Sequence, residues 1–167
     1  MNLYLLRHGL ATEPSVRRLA KDSERSLTPE GKRKMRQIAK SMKALELSFD
    51  LILSSPYLRA RQTAEIVASA FRADQKLVLA EELTPGASAK GLIHRINSLN
   101  PTPENLLLVG HEPSLSQLIS LWVAGDPDSS ITLKKGGLCR LAVEALQPGR
   151  CATLEWLLTP KHMCLMA

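Results

Sequence analysis

The chain has 167 residues, of which 44% are hydrophobic and 23% charged, and a formal net charge of +6. That composition supplies one ordinary core, so a single domain over residues 1–167 is expected, and no apolar run approaches the roughly 20 residues that cross a bilayer, which argues against a membrane partner. Cys139, Cys151 and Cys164 are odd in number and lack a CxxC spacing, which fits a reduced, cytoplasmic, soluble protein better than a disulfide framework.

The opening Met1-Asn2-Leu3-Tyr4-Leu5-Leu6-Arg7 has no basic stretch ahead of its short apolar run, so it reads as mature sequence rather than a signal peptide. Residues 2–7 form a buried strand that delivers His8 to a loop ending in glycine. From Ala11 to Arg25, Pro, Ser and charges mix without a period, the pattern of a surface loop containing at most a helical turn. At Thr28-Pro29-Glu30 a helix starts: Thr28 caps, Pro29 suits the first helical position and Glu30 favours the positive dipole end. Met35, Ile38, Ala39, Met42 and Leu45 form its apolar stripe, opposite Lys32, Arg33, Arg36 and Lys40.

Residues 50–56 read as a strand running into a Ser-Pro turn, and 58–71 as a helix with Ile66, Val67 and Ala70 at apolar positions. A short strand over 77–79, the loop Glu81-Glu82-Leu83-Thr84-Pro85-Gly86 and a helix over 88–99 follow. Asn105-Leu106-Leu107-Leu108-Val109 is the clearest strand, apolar enough for the centre of a sheet covered on both faces, and ends at Gly110-His111. Pro113 opens a helix through Val123, and strands over 137–144 and 153–158 pair as an edge hairpin around Pro148-Gly149. Strands alternating with helices give an α/β fold: a three-layer α/β/α sandwich with a mostly parallel central sheet and an antiparallel edge. In such a fold the loops after the first, second and central strands, which hold Arg7-His8, Arg59 and His111, come together.

Two His and two Arg can surround one phosphoryl group. A neutral imidazole attacks phosphorus, while arginines hold the non-bridging oxygens in their planar fork and supply most of the electrostatic stabilisation without a metal or other cofactor. Leu6-Arg7-His8-Gly9 resembles the Arg-His-Gly signature of the histidine phosphatase superfamily, the group that includes cofactor-dependent phosphoglycerate mutases. Ser54-Ser55-Pro56-Tyr57-Leu58-Arg59-Ala60-Arg61-Gln62-Thr63-Ala64 resembles its second motif and Val109-Gly110-His111-Glu112-Pro113 its third, in the same order and spacing over most of the chain. The small size and the Glu82-Leu83-Thr84-Pro85-Gly86 loop look most like the SixA branch, which removes phosphate from phosphohistidine on signalling phosphotransfer domains.

The resemblance implies a phosphoglycerate mutase-like fold, His8 as nucleophile, Arg7 and Arg59 as phosphate ligands, and His111 as stabiliser of the transferring group. Larger relatives place an acidic proton donor after the third strand, where this chain has Glu81 and Glu82, and Glu82 divides evenly between a weak acid and a loop carboxylate. An imprecise acid favours the labile P–N bond over inert esters. The expected substrate is therefore a phosphohistidine-bearing protein, processed through a phospho-His8 intermediate.

Two rivals stand beside that reading. A broader phosphatase for small phosphomonoesters is favoured if the site is deep and Glu82 points into it. A non-catalytic phosphoprotein-binding module ranks lower, because the nucleophile is present. His111-Glu112-Pro113 lacks a second histidine four residues on, which rejects a zinc-protease helix, and His162 with Cys164 is too sparse for a metal pair. His94, His162 and Arg61 read as surface residues, and the roles of Gln62 and Thr63 stay open. Nucleic acid is not expected, since two Phe, two Tyr and two Trp leave little for stacking and no binding motif is present.

Overall fold

The computed structural model describes residues 1–14, 21–128 and 130–167, so part of the loop read over Ala11–Arg25 lies outside the described residues. Six strands form one sheet: β1 (Asn2–Arg7), β2 (Leu51–Ser54), β3 (Leu77–Leu79), β4 (Asn105–Gly110), β5 (Leu138–Val143) and β6 (Ala152–Leu158). Their spatial order is β3-β2-β4-β1-β5-β6. The first four run parallel, while β5 lies antiparallel to both β1 and β6. Among the described residues five α-helices connect or follow them: α1 (Pro29–Ala44), α2 (Leu58–Ala70), α3 (Ala89–Asn97), α4 (Ser114–Ala124) and α5 (Pro160–Leu165).

The period-2 alternation of strand side chains splits the interior into two cores. Leu3 and Leu5 of β1 and Leu106 and Leu108 of β4 pack with α3 and α4. Tyr4, Leu6, Leu107 and Val109 face the opposite way, toward α1, α2 and α5. Because both faces are covered, β1 and β4 carry nearly unbroken apolar runs, as central parallel strands require. At the sheet edge β3 is covered less, and its Val78 and Leu79 are exposed.

The helix starts follow local chemistry. Thr28 Oγ1 accepts from Gly31 N–H at 2.9 Å, Pro29 follows as the first helical residue, and Met35, Ile38, Ala39 and Met42 are buried. Leu45, which the spacing also puts in that stripe, is exposed, because the helix has ended and Leu45 is its C-cap. Ser88 is the cap of α3 rather than its first residue, its Oγ accepting from Gly91 N–H at 3.1 Å. Apart from Arg59, the buried positions of α2 are small, Ala60, Thr63, Ala64 and Ala68 beside Val67, whereas Ile66 is half-buried.

Helix α5 has no counterpart in the sequence reading. It starts at the Thr159-Pro160 cap, buries Met163, and packs on α1, where the Ser41 hydroxyl donates to the Met163 carbonyl. A short 3₁₀ turn, Asp22–Glu24, supplies the helical turn anticipated in the first loop, and that loop is tied to the body by a bridge between Ala11 and Leu27.

Gly31 fixes how closely α1 approaches the loop after β1, since a Cβ there would sit 2.1 Å from the Leu10 carbonyl oxygen. Gly→Ala inside a helix ordinarily gains up to about 1 kcal/mol. A backbone oxygen cannot yield as a side chain can, so the sign reverses. Gly31→Ala is expected to lower the urea midpoint by the equivalent of more than ~1 kcal/mol; an unchanged or higher midpoint contradicts this packing.

Candidate active site

Parallel pairing sets the site before any side chain does. Arg7 lies opposite Gly110, and Ser54 opposite Val109, so β1, β4 and β2 end almost level. The stitching continues one residue further: His8 N–H donates to the Gly110 carbonyl at 3.1 Å and Ser55 N–H to that of Val109 at 2.9 Å. Gly136, at φ +81°, turns its N–H onto the carbonyls of both Arg7 (3.1 Å) and His8 (3.2 Å), closing the fourth side.

His8 is buried, with both ring nitrogens engaged. Nδ1 lies 2.7 Å from the Gly9 carbonyl, which only accepts, and Nε2 lies 3.3 Å from Arg59 Nε, which only donates. One tautomer satisfies both: the proton is on Nδ1 and the lone pair is on Nε2. Burial pushes the His8 pKa down to about 3, against the Gly9 hydrogen bond, and the charges of His111, Arg59 and Arg7 add to the depression. The ring is therefore neutral at ordinary pH.

The His111 ring lies 5.1 Å from that of His8, centroid to centroid. Its Nε2 is 2.9 Å from Ser55 Oγ, which also accepts from Tyr57 N–H at 3.3 Å; a serine oxygen can accept twice as well as donate, so both tautomers fit, and the one in which Ser55 donates to Nε2 has the His111 proton on Nδ1. Nδ1 is buried with no hydrogen-bond partner among the described residues, as is Arg7 Nε. Buried polar atoms without a partner are rare; among the described residues Trp122 Nε1 and Arg140 Nε are the others, and the two here stand out by lying beside His8 and Arg59. Burial and the Arg59 charge hold the His111 pKa down to about 4, with Asp22 pulling upward and Arg7 adding to the depression.

Arg59, in the first turn of α2, is nearly fully buried. Besides His8 it donates from Nη1 to the Asp22 carbonyl (2.7 Å) and from Nη2 to Asp22 Oδ2 (3.0 Å), and its guanidinium lies 5.3 Å over the Tyr57 ring. Arg25 takes the other carboxylate oxygen, Nη1 to Oδ1 at 2.8 Å. Partial burial opposes ionisation of Asp22, but the hydrogen bonds from Arg25 and Arg59 prevail and hold its carboxyl below the usual range. The sequence reading missed Asp22. Arg7 anchors itself through Nη1 to the Leu133 carbonyl at 3.0 Å, and burial lowers its pKa against the pull of Glu112.

His8, Arg59 and His111 thus meet directly, with Arg7 near enough for its charge to act on both imidazoles. Such a cluster offers one nitrogen lone pair amid donors and positive charge, a setting for a tetrahedral oxyanion. Residues 3–84 match the family described as Histidine phosphatase superfamily (branch 1). An uncharacterized protein of Picosynechococcus sp. is 35% identical over 142 residues, 84% of either chain. Phosphohistidine phosphatase SixA of Escherichia coli is 26% identical over 164 residues, 98% of this chain and 96% of that one. A structure of the protein histidine phosphatase SixA complexed with tungstate superposes with a TM-score of 0.84 at 25% identity, covering 96% of this chain and 98% of that chain. The chain belongs to the histidine phosphatase superfamily.

Its similarity to SixA along almost the whole length makes it a phosphatase hydrolase by class. The remaining residues of the superfamily motifs find positions here too. Thr63, fully buried, accepts from Gly9 N–H at 3.1 Å and donates to the Arg59 carbonyl at 2.7 Å, locking the His8 loop to the Arg59 turn. Gln62 holds the loop before α1, its Oε1 accepting from Leu27 N–H at 2.8 Å. Glu112, one residue before the N-cap Pro113, ties down the first turn of α4, its carboxylate accepting from Ser116 N–H at 3.1 Å and from the Ser116 hydroxyl at 2.6 Å. Glu82 is half-buried and lines the same cavity as His111, whereas Glu81 is exposed outside it. His94 and His162 are exposed and apart from the site. No group of three or more potential metal ligands occurs among the described residues, and none of their helices is long and apolar enough to cross a membrane.

Thr63→Val is expected to leave Gly9 N–H unpaired, costing ~1–3 kcal/mol in stability and lowering turnover through the loosened His8 loop; wild-type melting and turnover would contradict the lock. A pH effect follows from the two imidazoles. Their folded pKa values of about 3 and about 4 lie below the ordinary 6.5, so between those limits the unfolded chain binds more protons. Their contribution therefore favours folding fully above about pH 6.5 and is lost as pH falls toward 4. Thermal melts from pH 8 to 4 should show this slope, and it should flatten in His8→Asn and His111→Asn.

Proposed function

We propose that this protein is a phosphohistidine phosphatase acting on a phosphorylated protein through a covalent phospho-His8 intermediate. The observation that carries the reading is the His8 ring, held neutral with its Nε2 lone pair facing Arg59 among the donors of one phosphate-sized cluster. Similarity to SixA over 98% of the chain supports the choice of a P–N substrate.

In the proposed reaction the phosphoryl oxygens draw Arg59, Arg7 and His111 Nδ1–H onto themselves, and Nε2 of His8 attacks phosphorus in line. The bond from phosphorus to the substrate imidazole breaks as the bond to Nε2 forms. The departing ring leaves neutral when its other nitrogen has taken a proton, which makes it an easier leaving group than an alkoxide. Gly9 stabilises the positive charge that develops on His8 through its carbonyl at Nδ1–H. Water then attacks the phosphohistidine in line, inorganic phosphate departs, and His8 returns to its starting tautomer. Charge on the transferring group is met by Arg7, Arg59 and His111, so no metal is needed for the step.

A second reading, a phosphatase for small phosphomonoesters, is favoured by one observation: Glu82 and His111 line a common cavity of about 380 Å³. On this reading the Glu82 carboxyl group would supply the proton that an alkoxide leaving group requires. The two readings separate in a side-by-side assay of a phosphohistidine protein, p-nitrophenyl phosphate and sugar phosphates. The first expects preference for the phosphohistidine protein, with Glu82→Gln nearly neutral on it. Preference for esters, with Glu82→Gln costing roughly 10²-fold or more, selects the second.

His8→Ala should abolish both phosphate release and acid-labile labelling, and EDTA should leave wild-type turnover unchanged. Labelling retained in His8→Ala removes His8 as nucleophile.

A further inference from the structure

The cavity beside His111 is longer than a leaving group requires. From the site it follows α4 past Gln117 and Leu118 to Leu121, seven residues beyond Ser114 and hence about 10 Å along the helix. An imidazole ring fills only the end beside His111. The floor is made of leucines from the core, Leu83, Leu92, Leu115 and Leu118, all buried. Of the polar residues that line it, Ser88 and Gln117 are exposed, Glu82 and Ser114 half-buried and His111 buried, so away from His111 a charged or strongly polar occupant would lose hydration over the buried leucines without replacement. An apolar one replaces water over surface that is already apolar.

We infer that this groove seats a large aliphatic side chain of the phosphoprotein substrate itself, one to two helical turns from its phosphohistidine. The inference rests on the phosphohistidine reading and adds the partner's chemistry to it. Continuity carries it: His111, which meets His8 in the phosphoryl site, also lines the groove, so a substrate whose phosphoryl group sits on His8, Arg59 and His111 presents the atoms around its leaving group to the groove. Beyond Gly9, the residue after His8, a second apolar hollow of about 490 Å³ is edged by Lys34, Lys135 and Lys161.

The test uses two helical peptides of about 16 residues, each phosphorylated on one central histidine with phosphoramidate. One carries Leu at the fourth position on either side of the histidine and the other Gln, which keeps helix propensity and charge. Phosphoramidate itself serves as a P–N substrate too small to reach the groove. The Leu peptide should be turned over with a kcat/KM roughly tenfold higher. Leu121→Glu, and Gln117→Trp, which fills the groove from an exposed position, should erase that difference while hydrolysing phosphoramidate at the wild-type rate. Equal turnover of both peptides, or a preference that survives both substitutions, overturns the inference and leaves the phosphohistidine reading standing. Hydrolysis of p-nitrophenyl phosphate without action on either peptide or phosphoramidate removes both.

Discussion

Everything in this site depends on three parallel strands ending level. The β2-β4-β1 register puts Ser54, Val109, Leu6 and their successors side by side, and backbone bonds from Ser55 and His8 extend that order beyond the regular ladder. Two imidazoles and a guanidinium from distant parts of the chain can then stand within one phosphate's reach on rigid supports. A slip of one residue in any of these strands would turn its final side chain to the other face of the sheet. The same apolar alternation that divides the two cores therefore also aims the chemistry.

Concentrating cations in a buried place is unfavourable, and the structure answers it unequally. Both histidines yield by staying neutral, as their depressed pKa values record. Arginine does not yield its charge in proteins. Arg59 is compensated by the Asp22 carboxylate, a backbone carbonyl and the Tyr57 face, and Arg7 by the Leu133 carbonyl and the field of Glu112. The positive charge that survives burial thus sits on groups whose geometry suits phosphate oxygens.

How much of this was legible in the residues varied with the range of the interaction. His8, Arg59 and His111 could be read because each follows a strand in a local motif, and parallel neighbours bring strand ends together. Asp22 could not, since its partner is 37 residues away and its own loop has no period. Gln62 and Thr63 are adjacent in sequence, yet successive helix positions diverge, so one reaches Leu27 and the other Gly9. Choosing Glu82 over Glu81 needed the direction of the 3₁₀ turn Glu81–Leu83. Helix α5 buries a single residue, Met163, and one residue makes no periodicity. The groove along α4 depends on how far α3 stands from α4, which no stretch of either helix encodes.

The contact between Arg59 and His8 has one more consequence. A neutral, desolvated imidazole is a general nucleophile, open to acylation, alkylation and adventitious metal ions. Here Arg59 directs Nε–H at that lone pair while Asp22 grips the rest of the guanidinium. An electrophile without anionic oxygens gives Arg59 no reason to move and meets a masked nitrogen. In the proposed reaction a phosphoryl group offers the guanidinium better partners and so would uncover the atom it needs. The 3.3 Å separation makes a long, readily surrendered hydrogen bond, so discretion toward the wrong reagent and readiness toward the right one reside in a single side chain.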